Sequence, residues 1–400
     1  MAAVSTIPTA RPEFTLSRTG VVWRALAALL LLSAVLALPL LADTTWNQRI
    51  SLAAIYAVIG LSINVLTGHA GQISLGHQAF VGIGAFASAF TVSRLGGDFL
   101  IAIVVAGLTG AALAALLGLV ALRVTGLYLA LVTLAFGLTA ETTVFNWRAF
   151  TGGGAGALAP RPPLLQTDMA YAYLCLGVLG MVLLLDWRLV KSKAGRAIVS
   201  VRNNERVGAT LGINATAYKL LAFVISGFLA GLAGSLFAHW TTVVNAPDFD
   251  FQVALLWVLM AVVGGLGSRA GVVIGSGFFA LLPLVLPELL EEIPNRPEFL
   301  GEATLHVVAP LLGALLLLLT LILYPGGIGQ QLLPFRRWMA GGPFLEHRGH
   351  GAEAPPEAAS ATRKPDAAAP AAEEPAAPEP SPVEAHADPY VGSHVDEEVR

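Results

Sequence analysis

Gly68-His-Ala-Gly-Gln-Ile-Ser-Leu-Gly-His-Gln-Ala-Phe-Val-Gly-Ile-Gly84 sets five glycines and a cluster of hydrogen-bonding side chains between stretches oily enough to cross a bilayer. Hydrocarbon offers no water to free N–H and C=O groups. A glycine-broken, polar backbone at that depth persists only where protein covers it or where it lines a wet path. The stretch therefore predicts a transporter with a broken or re-entrant segment near 68–77.

The rest of the chain agrees. Hydrophobic residues make up 56% and charged ones 12%, with a mean hydropathy of +0.72. A soluble domain carries about a quarter charged residues, so the composition reads as an all-α integral membrane protein. Charge is unevenly spread: 12 of the 26 acids but only 4 of the 23 bases lie between Glu346 and Arg400. The overall −3 thus divides into −8 on that tail and +5 on the remainder. The lone Cys175 sits in an apolar run, which excludes an intrachain disulfide and a thiolate metal site.

A spanning helix needs about 20 mainly apolar residues. Ten segments qualify, near 21–42, 50–67, 73–93, 99–122, 126–146, 170–187, 217–240, 251–267, 271–290 and 305–324. Whether 50–93 holds two full spans or one span and a re-entrant helix stays open. The run Ala25–Leu41 is read as an uncleaved membrane helix, being long for a signal peptide. With both termini in the cytoplasm, 14 bases before the tail fall inside and 5 outside, which fixes the expected orientation. Three regions result: an N-terminal cytoplasmic segment 1–20, a membrane domain 21–340, and an acidic Ala/Pro-rich tail 341–400 expected to be disordered.

Enzyme signatures are missing. There is no G-x-x-x-x-G-K-[ST], H-E-x-x-H or G-x-S-x-G. Glu141 and Asp186 lie near the ends of their spans and read as interfacial carboxylates without a special role. His69 and His77 lack further ligands for a metal and read as hydrogen-bonding groups within packed backbone. Gly227 and Gly231, and Gly267, Gly271 and Gly275, recur at helix-packing intervals.

The loop 188–218 is more telling. Residues Arg188 to Lys219 carry seven bases, yet Ala197, Ile198, Val201, Val207, Ala209, Leu211 and Ile213 keep near-helical apolar spacing. One short amphipathic helix ending near Gly212 explains both, and such a helix suits a groove on a soluble partner.

Gly68-His-Ala-Gly-Gln-Ile-Ser-Leu-Gly-His77 resembles the signature of permease subunits of branched-chain amino-acid ABC transporters, LivM type. Gly126-Leu-Tyr-Leu-Ala-Leu-Val-Thr-Leu-Ala-Phe-Gly137, Thr151-Gly-Gly with Gly156, and the Arg196–Tyr218 run leading into Lys219-Leu-Leu-Ala-Phe and Ala230-Gly-Leu-Ala-Gly-Ser235 are similar to further stretches of that family. The resemblance covers about residues 50–335. Leu138 and Val272 depart from it, standing where an acid and a proline are frequent.

The resemblance implies an ABC importer permease fold in a bacterial cell inner membrane, working by alternating access. It implies a sister permease subunit, two cytoplasmic ATP-binding subunits that hold ATP and magnesium, and a periplasmic or extracellular substrate-binding protein. No cofactor is expected on this chain. Arg202, Asn203, Asn204, Glu205 and Gly212 become the expected ATPase-coupling residues. Gly68, Gly71, Gln72, Ser74, Gly76 and His77 become the expected broken helix beside the pathway. Branched-chain amino acids are the expected cargo. Urea, short amides or another small metabolite is the alternative within the class, and an ATP-independent carrier the alternative outside it.

Overall fold

The computed structural model describes residues 18–124, 126–291, 315 and 327–331. The span expected at 305–324 and the regions 1–17 and 341–400 therefore lie outside the described residues, apart from Leu315. What is described is almost entirely helical. Helix α1 covers Arg18–Leu41 and α2 Thr44–His69, whose last six residues from Asn64 wind as a π-helix. Asp43 starts α2 by accepting the Trp46 N–H at 2.8 Å.

The chain continues through α3 (His77–Ser93), α4 (Phe99–Ala121), α5 (Leu127–Val144) and α6 (Asp168–Lys191). Two short helices follow, α7 (Lys193–Asn203) and α8 (Glu205–Thr210). Then come α9 (Ala215–Thr241), α10 (Phe251–Gly264) and α11 (Arg269–Glu291).

Among the described residues six stretches are long and apolar enough to cross a membrane: Thr44–His69, Phe99–Ala121, Leu127–Val144, Asp168–Lys191, Ala215–Thr241 and Ala246–Gly264. Nine of the ten expected spans fall on described residues, and six of the nine meet that measure. Helix α3 falls short because it begins only at His77, leaving 17 residues, about 26 Å at 1.5 Å per residue. Helix α11 covers 23 residues, Arg269–Glu291.

Helices α2, α3 and α9 form the interior. The most apolar windows of Thr44–His69 and Ala215–Thr241 are 78% and 72% buried, whereas those of the other four spans are 28–33% buried. Helix α9 lies against α2, α3 and α4, while α11 and α6 flank α2. Glycines make the close approaches. A Cβ at Gly231 would strike the Ala106 carbonyl, one at Gly110 the Gly227 carbonyl, and one at Gly275 the backbone of Gly264. The small-residue rows expected around 227–231 and 267–275 thus serve helix packing.

At the Thr241 end of α9, strand β1 (Ala157–Leu158) pairs antiparallel with β2 (Val243–Val244). Arg161 clasps this end. It donates to the carbonyls of His239 at 2.8 Å and Trp240 at 3.2 Å, pairs with Asp168 at 2.7 Å, and lies over the Tyr171 ring. A guanidinium suits a helix C-terminus, where carbonyls lack intrahelical partners.

Candidate functional site

The glycine-rich segment divides into two sites. Its first half, residues 68–72, ends α2. Gly71 takes a left-handed conformation (φ 69°), the geometry that turns a chain away from a helix terminus. The Ala70 and Gln72 N–H groups return to the carbonyls of Val65 and Leu66 at 3.2 and 3.0 Å. The Gly68 carbonyl accepts from Arg202, whose side chain also packs on Gly71. Asn64 accepts the Gly267 N–H at 2.6 Å, tying the π-turn to the segment before α11.

The loop 188–218 meets this half directly. The expected single helix is two helices, because Asn204 (φ −160°, ψ 106°) leaves helical geometry. Asn204 ends α7 and caps α8, its side chain accepting the N–H groups of Arg206 and Val207 at 3.1 and 3.2 Å. An Asn at a helix start satisfies donors that the helix itself leaves free. Glu205 pairs with the largely buried Lys219 at 2.6 Å.

The apolar pattern also divides. Ala197, Ile198 and Val201 are buried as expected, but Val207, Ala209 and Leu211 are exposed. They sit beside exposed Asn203, Asn204 and Glu205, with exposed Gly212 (φ 75°) closing the turn. A cavity of about 370 Å3 joins the two motifs, lined by Gly71, Gln72, Arg202, Asn204, Glu205 and Lys219 among others.

Behind it lies a buried ion cluster that the sequence reading missed. Asp186, taken there for an interfacial carboxylate, has a fully buried side chain. It is bonded to His69 Nε2 at 2.9 Å and to Arg269, which also donates to the Asp186 carbonyl at 3.2 Å. A buried carboxylate is tolerable only when paired in this way. The sequence signal was present, an acid inside an apolar run, but its partners lie 117 and 83 residues away.

The second half, residues 74–78, turns inward. Gly76 presses on the Thr133 carbonyl, and the Leu75 N–H donates to Thr133 Oγ1 at 3.0 Å. His77 Nε2 meets Ser226 Oγ at 2.9 Å, and Ser226 donates to the Ser62 carbonyl at 2.7 Å. His77 thus bonds to a side chain of α9 rather than to backbone. Among the described residues no three His, Cys, Asp or Glu side chains gather as a metal site.

A larger cleft of about 690 Å3 opens at the opposite end of α9, lined by Gln48, Arg161, Asp168 and Trp240 among others. Its charged groups are already paired with one another.

Residues 47–324 match the family model described as branched-chain amino acid transport system / permease component. The chain belongs to this family. It is an integral membrane permease component.

Two relatives are each titled high-affinity branched-chain amino acid transport system permease protein LivM. The one from Escherichia coli (strain K12) is 32% identical over 295 residues, covering 67% of this chain and 68% of that one. The one from Salmonella typhimurium is 32% identical over 270 residues, covering 60% and 63%. The high-affinity branched-chain amino acid transport system permease protein LivH of Salmonella typhimurium is 25% identical, covering 62% and 94%. The permease thus spans a little under two thirds of the Salmonella LivM and a little over two thirds of the Escherichia coli one.

Proposed function

We propose that this permease is the LivM-like subunit of an ATP-driven importer of branched-chain amino acids. It would pair with a LivH-like sister subunit, with two ATP-binding subunits below and a substrate-binding protein on the outer side. The observation that carries the reading is the junction at Arg202. An exposed, partly apolar segment, residues 202–212, is tied through that side chain to the carbonyl of Gly68 in the last, π-helical turn of α2.

The exposed Val207 and Leu211, with Asn203, Asn204 and Glu205, form the surface that would sit in the ATPase groove. The segment's movement would reach α2 through Arg202 and shift the bundle between its two openings. ATP and magnesium belong to the partner chains, and every step on this chain is conformational. The α7–α8 end then faces the cytoplasm of a bacterial inner membrane, with both termini on the same side. The relatives' titles, which name branched-chain amino acids, support the choice of cargo over urea or short amides.

The test is to replace Glu205 by Trp and Gly212 by Val and measure leucine uptake and co-purification of the ATP-binding subunits. Both variants are expected to lose uptake and to weaken the association. Unchanged uptake with unchanged association overturns the docking surface.

A further inference from the structure

Four of the buried polar atoms that lack a hydrogen-bond partner among the described residues fall within five consecutive positions: Ser74 Oγ, His77 Nδ1, and Nε2 and Oε1 of Gln78. All three side chains are buried, Gln78 fully so. Native folds leave few buried polar groups unpaired, and such a concentration asks for a reason. An amide with donor and acceptor both idle is a group waiting for a partner with both characters.

Helix α5 lies against this stretch at Leu75, Gly76 and Gln78. A Cβ at Gly137 would strike the Gln78 amide, so the glycine keeps room for it, and Gly76 fits under Thr133. Thr133, Gly137 and Glu141 recur every four residues and so share one face of α5. Glu141 brings a fifth idle atom, since its Oε2 is buried without a partner. The helix winds as a π-helix over Ala140–Val144, an irregularity frequent at functional sites. Beside the polar row, Phe80 of α3 and Phe136 of α5 lie with ring centres 5.9 Å apart, an apolar wall next to the polar one.

This helix is loosely held. Helix α5 packs on α3 and α4, while Leu127, Tyr128, Leu131 and Leu138 face outward. The start of α3 adds its own polarity. Its first-turn N–H groups point toward the break, and Gly76 offers them no side-chain cap.

We infer that the start of α3 (Ser74, His77 and Gln78), facing the Thr133–Gly137–Glu141 row of α5, is the passage point for a small zwitterion with an apolar side chain, closed in this structure by α5. Gln78 and the α3 N-terminus receive the carboxylate, Glu141 and the Gln78 oxygen the ammonium, and Phe80 with Phe136 the apolar group. Displacement of α5 opens the site. The inference rests on the importer reading and names which residues of this chain meet the cargo.

The test uses the assembled transporter with its partner subunits in proteoliposomes, radiolabelled leucine as probe, and the variant Gln78→Leu. Uptake is expected to fall at least tenfold while the melting temperature stays equal or rises, because an idle polar group has been removed. Gln78→Met, which keeps the side-chain length, carries the same expectation. A variant that takes up leucine like the wild type overturns the inference. So does one whose uptake and melting temperature fall together, the mark of a packing role. Wild-type uptake is the control: a silent wild type overturns the importer reading and this inference with it, whereas uptake by wild type and variant alike overturns this inference alone.

Discussion

The two halves of the glycine-rich segment differ in what they leave unsatisfied. Residues 68–72 return their backbone groups to α2 and lend the Gly68 carbonyl to Arg202 of the exposed α7–α8 pair. Residues 74–78 lie beneath α5 with four polar atoms idle. One residue, Ile73, thus separates a half with no idle buried side-chain atom from a half with four. Saturation suits a part that transmits movement, since every bond must hold as it moves. Idle groups suit a part that meets a passing solute. On the proposed function, coupling falls to the first half and passage to the second.

The sharpest way to break the comparison is to remove the anchor of the first half. Asp186→Ala strands His69 and Arg269 without their shared carboxylate. Losing one partner of a buried ion pair typically costs about 3–5 kcal/mol. The purified permease is expected to melt well below the wild type, and a melting curve that does not move would mean the cluster holds nothing in place. A smaller effect is expected in the second half. Gly76→Val drives a side chain into the Thr133 carbonyl, and such overpacking costs about 1–3 kcal/mol. Thermal unfolding of this variant measures how firmly α5 is seated on α3. A stability equal to the wild type would contradict the close seating of α5 on Gly76.

Much of the fold was legible because it rests on local chemistry. Apolar runs marked the helices, and Gly71 and Gly76 marked the break between α2 and α3. Gly227 and Gly275 marked the close helix contacts. What the sequence hid depends on long-range pairing. Asp186 looked like an interfacial acid until His69 and Arg269 closed on it. The loop 188–218 looked like one amphipathic helix, because near-helical spacing of Val207, Ala209 and Leu211 cannot say which side is covered. Asn204 stops the first helix, and the apolar side chains beyond it turn outward. Gln78 passed unremarked as a polar residue in an apolar helix. Its importance comes from two idle atoms, which only coordinates reveal.

The central claim is that Arg202 links the exposed segment to the broken helix, and uptake set against ATP hydrolysis in the reconstituted transporter tests it most directly. Arg202→Met keeps the aliphatic packing on Gly71 but removes the donor to the Gly68 carbonyl. Being exposed, it should change stability by about 1 kcal/mol or less, the smallest effect of the three. ATP hydrolysis is predicted to continue while leucine uptake falls at least tenfold. Uptake and hydrolysis that both stay at the wild-type level would contradict the account.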